Sequence, residues 1–161
     1  MLPALALIFV LALPQEKVPA SPPQSAVQED SHQGALALAE RCKTAILATQ
    51  DSDGFPHVRA LSKMGQDGLA AFWFVTDASS KKVAALKANP KAGLYLLDEG
   101  KTEGLMLLGT VQLIPAAEAA ARKDCPASLA GFTKDPRWMV LRFVPSIGSY
   151  TKGFKDTEIK L

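Results

Sequence analysis

Cysteine and histidine are scarce in this chain, two of each among 161 residues. That scarcity argues against a structural zinc site, which draws its four ligands mostly from these two residue types. Cys42 and Cys125 are also too few for a disulfide scaffold. In an oxidising compartment they form an even pair able to bridge, and in a reducing one they are small buried hydrophobes. Charge of one sign is lacking too. A net charge of +2 gives no broad basic field, so nucleic acid is not an expected partner. The apolar run Leu2–Leu13, about a dozen residues, falls short of the roughly 20 that a membrane-spanning helix needs. No internal repeat recurs at the periods of solenoids or propellers.

What is present is ordinary for one globular core, with 48% hydrophobic and 21% charged residues. The Leu2–Leu13 run is followed by Pro14 and a polar, proline-rich tract, an arrangement that reads as a secretory signal peptide over 1–20. A flexible linker over 21–33 and a domain over 34–161 then follow. The small-residue context Val18-Pro19-Ala20 places the mature N-terminus between Gln15 and Gln33. The protein is therefore expected to be exported, periplasmic or secreted, without stable membrane association after signal removal. The absence of Lys or Arg before the run leaves an upstream start or an uncleaved anchor as alternatives.

Along the domain, Asp30 or Ser31 is placed to cap a helix over 32–43. Period-two alternation and turn residues predict strands at 45–49, 55–61, 69–75, 92–97, 105–114 and 138–144. Turns fall at 51–54, 65–68 and 98–100, and an alanine-rich helix at 115–129. Many antiparallel strands with short turns predict a mainly β fold, a six-stranded antiparallel split barrel with peripheral helices. Phe72, Trp73 and Phe74 occupy both faces of one strand, so at least one large ring needs cover from outside the barrel, for which a dimer interface is expected.

The stretch Phe74-Val75-Thr76-Asp77-Ala78-Ser79-Ser80-Lys81-Lys82-Val83 carries the chemistry. A strand stops at a polar turn and restarts as a lysine-bearing helix. Hydroxyls from Thr76 and Ser80, the free N–H groups of the helix start and the charges of Lys81 and Lys82 together suit an anion. The other reading is a plain N-cap with a solvated basic face. In the preceding hairpin, His57, Arg59 and Leu61 share one face of the strand. There Arg59 either snorkels to water or meets an anion, for which its planar fork suits a phosphate.

The order of elements, with "AILATQDSDGFPHVRAL", "FWFVTDASSKKVAALKANPKAGLYL" and "GLMLLGTVQLI", resembles the pyridoxamine 5′-phosphate oxidase-like split barrels that bind flavin mononucleotide (FMN). The general stress protein subgroup is the nearest. The resemblance runs from about Gln33 to Tyr150. It implies that Arg59, Thr76, Ser80, Lys81 and Lys82 hold the flavin phosphate, with Val75 beside them and the backbone of Ala60 and Leu61 lining the isoalloxazine ring. It also implies a homodimer with flavins at the subunit boundary, to which Trp138 and Tyr150 are candidates for the partner's contribution.

The chain also departs from that pattern. The substrate lysine of the vitamin oxidases falls at Met64, with Lys63 out of register. Their flavin-contacting glutamine falls at Gly104, and their C-terminal Arg-x-His is missing. The expected function is thus an FMN-dependent oxidoreductase of unknown substrate that does not oxidise pyridoxamine phosphate. A non-catalytic flavin-binding stress protein, or a haem or deazaflavin binder on the same barrel, are the alternatives. The chemistry would be the cofactor's, and no catalytic side chain is assigned.

Overall fold

A computed structural model describes residues 24–161. The expected signal peptide and its cleavage site lie outside the described residues, as do 21–23 of the expected linker. From Gln24 onward that linker is helix: α1 runs over Gln24–Arg41, so Asp30 and Ser31 sit inside it rather than capping it. The cause is tertiary. The polar first half of α1 lies against the C-terminal strand, where His32 Nδ1–H donates to the Lys160 carbonyl at 2.9 Å. Further on, Ala35, Leu38 and Ala39 are fully buried in the core.

Eight strands form one antiparallel sheet, two more than expected. They are β1 (Thr44–Gln50), β2 (Pro56–Ser62), β3 (Gly65–Asp67), β4 (Ala71–Asp77), β5 (Lys91–Asp98), β6 (Glu103–Pro115), β7 (Trp138–Lys152) and β8 (Lys155–Ile159). Helix α2 (Lys81–Ala88) follows β4, and α3 (Ala116–Ala121) follows β6. The expected turn at 65–68 is the edge strand β3, with the reversal moved on to Gly68, whose φ is +50°. The expected helix over 115–129 stops at Ala121. A short 3-10 turn at Ala127–Leu129 begins only after Pro126, which cannot continue a helix.

The strand order is β2-β1-β5-β6-β7-β4-β3, with β8 pairing β7 off that path. The first half of β7 pairs β4 and the second half pairs β8, while β6 runs beside both halves. One long strand thus carries the sheet from one wall of the split barrel to the other. Opposite Leu108/Gly109 of β6, the extra residue Ser146 makes a bulge that bends β7 there. Gly109 is required at that bend, since a Cβ would lie 2.1 Å from the Val144 carbonyl oxygen.

The inward face buries Leu47, Leu94, Leu96, Leu105, Leu107, Phe72, Phe74, Leu141 and Phe143. A second cluster lies on the other face of β4 and β7, where Trp73 and Val140 pack under Ala119 and Leu129. Trp73 is 2% exposed. Its cover comes from α3 and the following loop of the same chain, not from a partner as expected. Over β1, β2, β5, β6 and the second half of β7 the outward face is bare, with Ile46, Val58, Leu97, Met106, Leu108 and Ile147 all 39–65% exposed. No helix among the described residues is long and apolar enough to cross a membrane.

Candidate functional site, an anion cradle at the seam

β2 and β4 stand far apart in the strand order, yet curling of the sheet brings them into contact. The sequence-predicted cations meet at that seam. From one side, Arg59 lies on the inward face of β2, opposite Leu47. Its Nη1 donates to Thr49 Oγ1 at 3.1 Å. From the other side, Thr76 ends the inward stripe of β4, and its Oγ1 accepts from Lys82 Nζ at 2.6 Å. Burial pushes the Lys82 ammonium below its usual 10.5, and the nearby Arg59 charge pushes it further in the same direction. Asp77 pulls the other way more weakly. Two cations with little local compensation are what an anion would relieve.

Ser80 supplies an observation that fits the same reading. Its side chain makes no capping bond at the start of α2, and its buried Oγ has no hydrogen-bond partner among the described residues. A buried hydroxyl without a partner is costly and calls for one. Beside it the first turn of α2 presents backbone N–H groups, which favour negative charge. Asp77 does not fill this place. Its carboxylate is held by the Ser79 hydroxyl at 2.5 Å and the Ser79 N–H at 2.7 Å, which lowers its pKa. Arg59, Lys82 and Thr76 thus meet at the seam, with Ser80 at the start of α2 and the exposed Lys81 directly after it.

The remaining candidates fall outside this cluster. Val75 and Trp138 project from the opposite face, because Val75 pairs with Val140 and Trp138 with Asp77 in register. The Trp138 ring stands edge-on to Phe132 at 5.3 Å under the Arg137 guanidinium, so it does not reach the cradle of its own protomer. Ala60 faces outward, and Leu61 packs inward on the main core. β2 is a terminal strand of the sheet and pairs only with β1, which leaves unpaired backbone groups along its other edge. Tyr150 is 3% exposed within the main core.

Thr49 was not expected. Its signal was a hydroxyl closing an otherwise apolar inward stripe, Ala45, Leu47, Thr49. A cavity of about 520 Å³ opens on the bare outward face over Ala48, Gly93, Leu108 and Ile147. Lys91 is the only ionisable group lining it.

The departures noted in the sequence have structural counterparts. Met64 packs into the second cluster beside Trp73. Lys63 Nζ is bound to the Ala39 carbonyl and to Gln66 Oε1, and burial lowers its pKa. At Gly104 a Cβ would lie 2.4 Å from the Tyr95 hydroxyl oxygen, so Tyr95 occupies the room a longer side chain would need. Cys42 and Cys125 are free thiols packed against different clusters, so the bridge considered from the sequence is not formed.

A model of the pyridoxamine 5′-phosphate oxidase family matches residues 32–140. A pyridoxine/pyridoxamine 5′-phosphate oxidase of Rhodopseudomonas palustris is 40% identical over 75 residues, 47% of this chain and 35% of that one. The chain spans less than half the length of the curated relatives it matches. A solved Clostridium acetobutylicum protein related to general stress protein 26 of B. subtilis shares 29% identity with a TM-score of 0.70, over 83% of this chain and 96% of that one. Two more distant structures show the shared fold alone. An FMN-binding protein of Nostoc punctiforme has 17% identity and a TM-score of 0.54 over 83% and 85% of the two chains. A heme-binding protein of Mycobacterium smegmatis has 17% identity and a TM-score of 0.63 over 81% and 57%. With most of the domain matched by the family model and the split barrel present in full, the chain belongs to the pyridoxamine 5′-phosphate oxidase family.

Proposed function

We propose that the protein binds FMN with its phosphate in the seam cradle, and acts as a flavin-dependent oxidoreductase on a substrate other than pyridoxamine phosphate. The observation that carries this reading is the approach of Arg59 and Lys82 from the two sides of the seam, close enough for the Arg59 charge to act on the Lys82 ammonium, beside a helix start whose Ser80 hydroxyl is buried without a partner. Arg59 and Lys82 would neutralise the phosphate, the Thr76 and Ser80 hydroxyls would donate hydrogen bonds to its oxygens, and Lys81 would add charge at the rim. The unpaired edge of β2 at Ala60 and Leu61 offers backbone donors and acceptors to a heterocyclic ring. Bound flavin would supply hydride or electron transfer, while the chain's residues bind, orient and exclude water.

Vitamin oxidation needs a second set of cations for a second phosphate, since two dianions cannot share one set of donors. The nearest candidate, Lys63, is already engaged by Ala39 and Gln66, and Met64 is packed away. A second copy of the chain is the proposed cover for the bare outward face, where six apolar side chains stand in contact with solvent. Trp138 belongs to this proposal only as a contribution to the partner's site. Export rests on Leu2–Leu13. An intact mass showing a chain that begins between Gln15 and Gln33 supports it, and an unprocessed cytosolic chain refutes it.

The test of the cofactor is the visible spectrum of the purified protein, followed by anaerobic addition of a nicotinamide donor. Flavin bands that bleach support a flavin-dependent reductase. Flavin bands that persist with every donor support a carrier, and a Soret band or a deazaflavin spectrum overturns FMN.

A further inference from the structure

We propose that Thr49 is a positioning residue of the cradle, its buried hydroxyl holding the Arg59 guanidinium in aim across the seam. The inference rests on the reading of the cradle as a phosphate site. Thr49 is 3% exposed; its inward neighbours on β1, Ala45 and Leu47, and its register partner Ala92 on β5 are apolar, while its register partner on β2, His57, has its Nε2 taken up by Asp53. A hydroxyl in such surroundings is costly unless it is bonded, and its bond is the one from Arg59 Nη1. Thr49 is also what holds Arg59. Ion pairs among the described residues engage Arg41, His57, Arg122, Arg137 and Arg142, and none of them engages Arg59.

The choice of a hydroxyl has a physical consequence. A carboxylate at this position would fix the guanidinium equally well but would cancel its charge and repel an incoming phosphate. A threonine oxygen orients the group and leaves the full positive charge in place. The opposite side of the seam repeats the device, with the 7% exposed Thr76 accepting from Lys82. Each cation is thus tethered by a buried neutral acceptor on its own side. One donor of the guanidinium is spent on the tether, and the others are left for the ligand.

Thr49→Val keeps the shape of the side chain and removes only the oxygen. It should weaken FMN binding by about tenfold, the scale of one hydrogen bond to a charged group, and should leave riboflavin binding unchanged. Thr49→Ser should restore the wild-type preference for FMN. In an Arg59→Ala background, Thr49→Val should not change that preference further, because the tether then has nothing to hold. Stabilisation by inorganic phosphate, followed as a melting-temperature shift, should fall in Thr49→Val in parallel with FMN affinity. If the valine variant does not fold, Thr49→Ala against Thr49→Ser makes the same comparison. Wild-type discrimination between FMN and riboflavin that is retained in Thr49→Val overturns the role of Thr49 and leaves the cradle standing. A wild type that binds the two flavins equally, and is not stabilised by inorganic phosphate, overturns both.

Discussion

Replacing Lys82 with methionine separates two effects that the cradle makes opposite in sign. The stem of the side chain keeps its packing, and the ammonium is lost. With ligand present, the phosphate loses a hydrogen bond to a charged group, worth about 1.5–3 kcal/mol. At 1.4 kcal/mol per decade, FMN affinity should fall roughly 10- to 150-fold. Without ligand, the variant sheds a half-buried charge held near Arg59, at the cost of the bond to Thr76.

The pH dependence gives the sign of the apo effect. The Lys82 pKa is lowered in the folded protein from 10.5, so in the window just below 10.5 the unfolded chain binds more protons and stability rises with pH. Lys82→Met should remove that part of the rise. Lys63, lowered chiefly by its burial, keeps its own contribution of the same sign, so the slope should shrink without vanishing. Fluorescence titrations with FMN and riboflavin, together with melting curves from about pH 8 upward, read both effects. Equal losses for the two flavins, or an unchanged FMN affinity, would refute the assignment of Lys82 to the phosphate.

Two further outcomes follow from the same structure. Gly109→Ala drives a methyl against the Val144 carbonyl beside the β7 bulge and should lower stability by about 3 kcal/mol in urea unfolding; a loss under about 0.5 kcal/mol would mean that the bulge relaxes freely. Ile147→Asp places a charge on the bare outward face, where Ile147 is 58% exposed, and should convert a dimer to a folded monomer in sedimentation velocity. A dimer that survives that change would move the interface elsewhere.

The parts of the fold legible in the sequence were those set by local chemistry. Asp51-Ser52-Asp53-Gly54 turns as expected, with Gly54 at φ +79°. The period-two alternation of β1 and β2 put Arg59 on the inward face, and Thr76, Ser80 and Lys82 follow from a strand, turn and helix start contiguous in the chain. The rest depended on contacts distant in sequence. Residues 24–33 lack an apolar stripe and became helix by docking on β8 through bonds such as His32 to Lys160. β7 continues through Pro145 and Gly148 because β6 and β8 flank it there. Thr49 acquires meaning only once the β1–β2 register and the bond to Arg59 are known. Trp73 was correctly seen to need cover, but the segment that covers it, around Ala119 and Leu129, lies more than forty positions away in the chain. Val75 and Trp138 were carried by the family resemblance, and the parity of the β4–β7 ladder puts both on the face away from the cradle.

The most direct test of the phosphate cradle is a calorimetric titration of the wild-type chain with FMN and, in parallel, with riboflavin. Arg59, Lys82, Thr76 and the unpartnered Ser80 hydroxyl predict saturable FMN binding at one flavin per protomer, with riboflavin weaker by at least about a hundredfold, the combined effect of two charge-assisted contacts. Equal affinity for the two flavins, or no binding of FMN at all, would contradict the account.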